Sequence, residues 1–300
     1  MKYFILLTVL LISFDVNAYS HCSCMGGAAV GGLTPVGGTV NVGVLRKDFF
    51  RATAFYRYSF GDTYYKNDSP AEKGLVDSYH IHYSGLLLGY GLSNKFTLEA
   101  ELGGFPEKYQ DFKYFSLSSG GLSHVLVSGK YNFYYNFRQE FEISAGAGIR
   151  MPLVTRDENL PQHILPSTGA YGAVFQVFVH KGFEQQGIRL ILMHRIDVNA
   201  ENNLEYQYGE GFYTSVYLAK NIIGRLSGIL EIRNELRLKD KYLGYTVDDS
   251  GGNIFIVSPQ FNYSFADINV SALFDYPFYK NYNGYQLAND FSLALNITWQ

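Results

Sequence analysis

Residues 225–238, RLSGILEIRNELRL, alternate between apolar and polar side chains along most of their length. The apolar positions are Leu226, Leu230, Ile232, Leu236 and Leu238, and the charged positions are Arg225, Glu231, Arg233, Glu235 and Arg237. A period of two is typical of a β-strand whose faces meet different surroundings. Five charges on one face do not suit a packed sandwich core, because burying charge is costly. The stretch therefore predicts a barrel strand with lipid outside and a polar interior.

The same alternation occurs along most of the chain. At the C-terminus, FSLALNITWQ (291–300) places apolar side chains from Phe291 to Trp299 on one face. We expect strands at about 49–63, 78–92, 95–105, 122–135, 139–152, 169–182, 186–198, 204–220, 223–238, 252–265, 267–279 and 286–299. An even number of strands is usual for bacterial single-chain barrels. The predicted fold is all-β, a transmembrane antiparallel β-barrel of about 12 strands; a soluble secreted β protein is the alternative.

Short and long connections alternate between these strands. Tight turns are expected near 92–94, 136–139, 183–186, 220–223 and 265–267, and longer loops at 64–77, 106–121, 153–168, 199–203, 239–251 and 280–285. Short periplasmic turns and longer extracellular loops are typical of outer-membrane barrels.

The N-terminus indicates export. Lys2, an apolar run and Val16-Asn17-Ala18 form the parts of a signal peptide, and the run is too short to span a bilayer. We therefore expect a signal peptide at 1–18 with cleavage near Ala18, a Gly-rich segment at 19–48 and a barrel at 49–300. The expected location is the outer membrane of a Gram-negative-type cell.

The polar face of the strands supplies candidate residues that line the lumen. They are Arg51, Arg57, His80, His82, Glu99, Glu101, Lys130, Glu140, Glu142, Arg150, His180, Arg189, Arg195, Asp197, Arg225, Glu231, Arg233, Glu235 and Arg237. Aromatic candidates on the same face are Phe55, Tyr134, Phe178, Tyr213 and Tyr217. Arginines and carboxylates on facing strands can pair and shape a channel. These side chains either only fill the barrel or also contact a solute.

Soft metal ligands cluster directly after the expected cleavage site. His21, Cys22, Cys24 and Met25 offer the side chains that Cu(I) prefers. The alternatives are a strained disulfide between the cysteines or a flexible terminus, and the Gly-rich segment can also plug the lumen. His80 and His82 share one strand face, but the sequence identifies no third ligand for them.

No enzyme signature accompanies these features. Ser123, His124 and Ser144 offer hydroxyl and imidazole groups, but no G-x-S-x-G motif occurs. A net charge of −3 without a basic cluster argues against nucleic-acid binding. We expect no enzyme and no cofactor. The expected partners are outer-membrane lipid, a small-molecule solute and the barrel-assembly machinery, which would contact the C-terminal strand.

Three stretches resemble one protein family. GLSHVLVSGKYNFY (121–134), SAGAGIRMPL (144–153) and LPQHILPSTGAYGAVFQVFVHKGF (160–183) are similar, in order and spacing, to motifs of the meta-pathway phenol degradation family of outer-membrane proteins. YQYGEGFYTSVYLAKNI (206–222) falls where that family has a further strand. The chain departs from the pattern at His124, where the family has Asp. The resemblance implies an outer-membrane barrel that passes small, often hydrophobic or aromatic molecules.

Passive diffusion of such solutes through the lumen is therefore the leading functional hypothesis. One alternative is a structural barrel, or one whose surface loops bind a partner. Another is a copper-related outer-membrane protein that uses the N-terminal His, Cys and Met side chains.

Overall fold

Twelve long strands dominate the computed structural model, which describes residues 43–153 and 164–300. They are β1 (Phe50–Gly61), β2 (Val76–Ser93), β3 (Phe96–Phe112), β4 (Phe115–Asn136), β5 (Phe141–Pro152), β6 (Gly172–Phe183), β7 (Ile188–Asn199), β8 (Gly211–Ile223), β9 (Leu226–Arg237), β10 (Gly252–Phe265), β11 (Ile268–Leu287) and β12 (Phe291–Trp299). The predictions of a signal peptide and of a copper site at His21, Cys22, Cys24 and Met25 lie outside the described residues.

Each long strand pairs antiparallel with its neighbours in the chain, and the sheet closes on itself. Strand β12 pairs with β1 from Ala52↔Trp299 to Phe60↔Phe291. Closure satisfies the backbone of both terminal strands and leaves no exposed sheet edge in lipid. The predicted antiparallel barrel of 12 strands is confirmed.

The two faces of the wall differ as the alternation predicts. On β12, Leu293, Leu295 and Ile297 are 49%, 54% and 54% exposed, whereas the intervening Ala294 and Asn296 are only 3% and 2% exposed. The apolar side chains therefore cover the outside of the barrel, and the small and polar ones face its interior. This arrangement suits a barrel surrounded by lipid.

One rim of the barrel carries only tight connections. Residues 94–95, 224–225 and 266–267 join strands directly, and two 3₁₀ turns, Phe137–Gln139 and Glu184–Gln186, complete this short-turn rim. The opposite end, the loop rim, has additional short strands at Tyr64–Asn67, Ser69–Pro70, Tyr206–Gln207, Lys241–Tyr242 and Tyr245–Thr246. By the usual orientation the short-turn rim is periplasmic. Among the described residues no helix is long and apolar enough to cross a membrane.

Two expected loops are instead strand. Residues 106–121 belong to a long hairpin, because β3 runs to Phe112 and β4 begins at Phe115 with only two residues between them. Residues 280–285 lie within β11, which continues to Leu287. Both stretches extend the wall beyond the length that a bilayer requires. In this extension outward side chains can be polar, so apolar and polar residues no longer alternate and the sequence pattern does not indicate a strand.

Candidate functional site

The interior of the barrel holds most of the charged side chains that the sequence places on the polar face. They form three clusters, named here by their central carboxylates: the Glu99 cluster, the Asp197 cluster and the Asp275 cluster. Every member except Arg57 is less than 9% exposed.

The Glu99 cluster joins three neighbouring parts of the wall. Arg51 Nη2 on β1 lies 2.9 Å from Glu99 Oε1 on β3, and Lys130 Nζ on β4 lies 2.9 Å from Glu99 Oε2. Arg51 reaches across β2, where Gly89 pairs with both Arg51 and Glu99. One carboxylate thus pairs with two cations and links β1, β3 and β4.

The Asp197 cluster has a bidentate ion pair at its centre. Arg195 Nε lies 2.6 Å from Asp197 Oδ1, and Arg195 Nη2 lies 2.9 Å from Asp197 Oδ2. Arg150 Nη1 on β5 lies 3.3 Å from Asp197 Oδ2 on β7. Arg150 crosses β6 at Gly172, where an added Cβ would lie 2.9 Å from Arg150 Nη2. The same Cβ would lie 2.9 Å from the backbone carbonyl of Val198, so a larger residue there would displace the wall or the guanidinium.

The Asp275 cluster links β1, β9 and β11. Arg57 Nη2 lies 2.5 Å and Arg233 Nη2 lies 2.9 Å from Asp275 Oδ2, and Ser258 donates a hydrogen bond to Asp275 Oδ1. Arg233 also bonds its neighbours on β9, with Nη1 at 3.1 Å from Glu231 Oε1 and Nε at 2.7 Å from Glu235 Oε1.

Asp275 is not among the residues predicted from the sequence. It shares its face with Ser271 and Leu273 and alternates with the outward Phe274 and Tyr276, so the alternation that found the other charges could have found it.

A fourth carboxylate, Glu101, lies beside a tyrosine and a histidine. Tyr83 Oη donates to Glu101 Oε1 at 3.3 Å, and His124 Nε2 lies 3.5 Å from the same oxygen. His124 Nδ1 lies 3.1 Å from Ser123 Oγ. This serine, histidine and glutamate have the connectivity of a hydrolase triad. Each is 4% exposed or less, and no G-x-S-x-G motif surrounds Ser123.

An apolar wall accompanies the charges on the inner face of β1–β3. The ring centroids of Phe55 and Tyr83 lie 5.6 Å apart, and those of Tyr83 and Phe105 lie 5.0 Å apart. Ile81 and Leu87 belong to the same buried cluster. The interior therefore offers aromatic rings as well as paired charges.

Residues 164–167, which precede β6, contact the inner wall near the loop rim. Lys108 Nζ, on the inner face of β3, donates to the carbonyl of Leu165 at 2.9 Å. Ser119 donates to the carbonyl of Ile164, and Ser167 Oγ donates to the carbonyl of Ser123 at 2.8 Å. Ile164 and Leu165 are almost fully buried. These contacts hold residues 164–167 against the inner wall.

The residues just before β1 enter the opposite mouth. The backbone N–H of Leu45 donates to Thr97 Oγ1 on the inner face at 2.7 Å, and Val44 bonds the Glu142 carboxylate through its backbone. A Cβ on Gly43 would lie 3.3 Å from Glu142 Oε1. Residues 43–45 therefore lie against the inner wall at the short-turn rim.

A tyrosine, an aspartate and an arginine interact at the loop rim. Tyr206 Oη donates to Asp240 Oδ2 at 2.6 Å, and Arg237 Nη2 lies 3.0 Å from Asp240 Oδ1. Burial raises the pKa of the Tyr206 phenol, and the Asp240 carboxylate raises it further. The phenol therefore stays protonated and donates a hydrogen bond to Asp240.

Most of the candidate residues lie on the inner face in the structure. They are Arg51, Arg57, Glu99, Glu101, Lys130, Glu142, Arg150, His180, Arg189, Arg195, Asp197, Glu231, Arg233, Glu235 and Arg237. Of these, His180 and Arg189 lie near the short-turn rim, outside the three clusters. The aromatic candidates Phe55, Phe178, Tyr213 and Tyr217 are also buried inside.

Five candidates lie elsewhere. Glu140 lies in the short turn between β4 and β5, directly after the 3₁₀ turn. His80 and His82 are on the outer face of β2, because they have the same parity as the exposed Leu86 and Tyr90. Arg225 lies exposed in the turn between β8 and β9. Tyr134 is outward and 48% exposed, because the register shifts between Asn132 and Tyr134.

Comparison with known proteins agrees with this fold. The family model described as "Putative MetA-pathway of phenol degradation" matches residues 58–279, well over half of the chain. The chain belongs to this family. The resemblance predicted from the sequence motifs is thereby confirmed. No curated protein matches the chain.

Two solved structures share the architecture. An outer membrane channel from Pseudomonas putida F1 has a TM-score of 0.70 and 13% sequence identity, with 85% of this chain and 96% of that chain covered. The NanC porin has a TM-score of 0.51 and 11% identity, with 84% and 100% covered. At these identities the likeness shows the fold, which is that of an outer-membrane barrel.

Proposed function

We propose that this barrel passes small, weakly polar or aromatic solutes across the outer membrane by passive diffusion. The observation that carries the proposal is the interior itself, where the Phe55–Tyr83–Phe105 wall occurs together with the three paired clusters. The family description refers to phenol degradation, and the similar Pseudomonas putida F1 protein is an outer membrane channel. Both names are consistent with solute passage.

The pairing of the charges argues for a solute without strong charge. The Glu99 and Asp197 clusters each have two cations for one carboxylate, and the Asp275 cluster has three carboxylates for two arginines. The formal charges of the three clusters therefore nearly cancel. A field of one sign would be needed to select anions or cations. An aromatic solute gains about 0.5–1.5 kcal/mol from ring contacts beyond simple burial.

The proposed partners of the barrel are outer-membrane lipid and the barrel-assembly machinery. Outer-membrane lipid would surround the apolar outer face, and the assembly machinery would contact β12, which ends at Trp299. Signal-peptide cleavage near Ala18 remains a prediction, as does plugging of the lumen by the Gly-rich segment. The position of residues 43–45 inside the mouth supports the latter.

Swelling of proteoliposomes tests the proposal with two glucosides of nearly equal size. Phenyl β-glucoside should enter about two- to ten-fold faster than cyclohexyl β-glucoside. This ratio corresponds to the free energy of about 0.5–1.5 kcal/mol that aromatic ring contacts contribute. Phe55→Ala should reduce this preference. Phe278→Ala is the matched control, because Phe278 is 54% exposed on the outer face.

Two results would overturn the proposal. Swelling no faster than that of protein-free vesicles would contradict passage, and equal rates for the two glucosides would contradict the role of the aromatic wall.

A further inference from the structure

His80 and His82 have a third potential ligand that only the folded structure provides. Both project from the outer face of β2, and His82 pairs with Glu107 on the neighbouring strand β3. Glu107 lies in the part of β3 that continues toward the loop rim. Sequence spacing alone places the two histidines together, whereas the pairing of β2 with β3 adds the carboxylate.

The atoms of this trio are separated by distances that suit a metal ion. His80 Nε2 lies 3.3 Å and His82 Nε2 lies 3.9 Å from Glu107 Oε2, and the ligand atoms all lie within 4.8 Å of one another. Zinc bonds of 2.0–2.1 Å in a tetrahedron separate neighbouring ligand atoms by about 3.3 Å. Small side-chain rotations therefore suffice to bring the three atoms around one ion.

Aromatic neighbours hold the imidazoles in place. Tyr56 Oη lies 2.5 Å from His82 Nδ1, which leaves His82 Nε2 for Glu107 or a metal. The His80 ring stacks on Tyr109 with centroids 4.7 Å apart and planes 17° apart. Outer contacts that fix a histidine ring are a usual part of metal sites.

The side chains of the trio are partly exposed on the outer face. The side chains of His80, His82 and Glu107 are 30%, 27% and 46% exposed. The outward aliphatic residues Leu86 and Leu88 lie closer to the short-turn rim, so the trio lies beyond this apolar part of β2. An ion from the medium can reach the site, and water can fill the remaining coordination position.

We propose that His80, His82 and Glu107 bind a divalent transition-metal ion of the Zn²⁺ type on the outer surface of the barrel. Two imidazoles and one carboxylate form a common zinc ligand set, and three protein ligands leave a fourth position open. The ion joins β2 to β3 just above the lipid-facing part of the wall.

Isothermal titration of Zn²⁺ into the EDTA-treated full-length protein in detergent tests this proposal. The reference protein carries His21→Ala, Cys22→Ser, Cys24→Ser and Met25→Leu, which removes the N-terminal ligands. It should bind one zinc per chain. Tyr56→Phe should weaken binding about 10- to 100-fold, the usual effect of losing a contact that orients a ligand. Substitution of His82 or Glu107, as His82→Ala or Glu107→Gln, should weaken binding further.

His194→Ala is the matched control. His194 also lies on the outer face, on β7, where its Nδ1 is 2.9 Å from Thr214 Oγ1. Its loss should leave zinc affinity unchanged. Heat-modifiable migration on gels checks that each variant is folded, and Co²⁺ substitution adds a spectrum characteristic of the coordination geometry. A folded reference protein that binds no zinc, or a folded His82→Ala variant with unchanged affinity, would overturn the proposal.

Discussion

Asp275→Asn tests whether the buried charge clusters stabilise the barrel. Asp275 is fully buried between Arg57 and Arg233, at 2.5 and 2.9 Å from their guanidinium nitrogens. The amide retains the shape of the side chain but removes the negative charge. Arg57 and Arg233 then lose the negative charge that they share.

The expected loss of stability depends on which carboxylates remain beside each arginine. Arg233 retains Glu231 and Glu235, whereas Asp275 is the only carboxylate within 4 Å of Arg57 in the described part of the chain. Removing one partner of a buried ion pair costs about 3–5 kcal/mol. Because Arg233 stays paired, we expect a loss near the lower end, about 3 kcal/mol of the free energy of unfolding.

Urea unfolding of the protein in lipid vesicles, followed by tryptophan fluorescence, measures this loss. Glu184→Gln in the exposed turn before β7 is the control and should change stability by less than about 0.5 kcal/mol. The double variant Asp275→Asn/Arg57→Gln should be more stable than additivity predicts, by about 1–3 kcal/mol. Wild-type stability of folded Asp275→Asn would refute the reasoning.

Three further predictions concern the wall and the loop. Gly172→Val should destabilise the barrel by about 1–3 kcal/mol in the same assay, because an added Cβ would lie 2.9 Å from both the Val198 backbone carbonyl and Arg150 Nη2; Gly228→Val, whose Cβ would meet only the flexible end of the Ile222 side chain, is the comparison. Leu295→Arg should lower the free energy of unfolding by about 2–4 kcal/mol, because Leu295 is in the middle of β12, where a charge would face the centre of the bilayer. A smaller loss for Leu295→Arg than for Leu295→Phe would contradict the assigned lipid face. Lys108→Met should speed hydrogen exchange at residues 164–168 about tenfold, because the bond to Leu165 is lost; unchanged exchange would show that this bond does not hold the loop.

The alternation of side chains was enough to predict the barrel and most of its interior. It works where lipid covers the outer face, because only apolar side chains are tolerated there. Arg51, Glu99 and Arg233 were found in this way. Which of these charges pair was not predicted, since Arg51 meets Glu99 only through the pairing of β1, β2 and β3.

The predictions failed where water meets both sides of the wall. His80 and His82 are polar and outward because they lie beyond the apolar part of β2, so polarity no longer indicates the interior. The same reason explains the long hairpin at 106–121, which looked like a loop. Tyr134 was misplaced by a local register shift that the sequence does not mark.

Single-channel recording of the purified protein in planar bilayers tests the central claim most directly. We expect discrete current steps of small conductance, because residues 164–167 lie against the inner wall and ion-paired side chains project into the interior. Phenyl β-glucoside should interrupt the current more often in wild type than in Phe55→Ala. A folded, membrane-inserted barrel that shows no current steps would contradict the account.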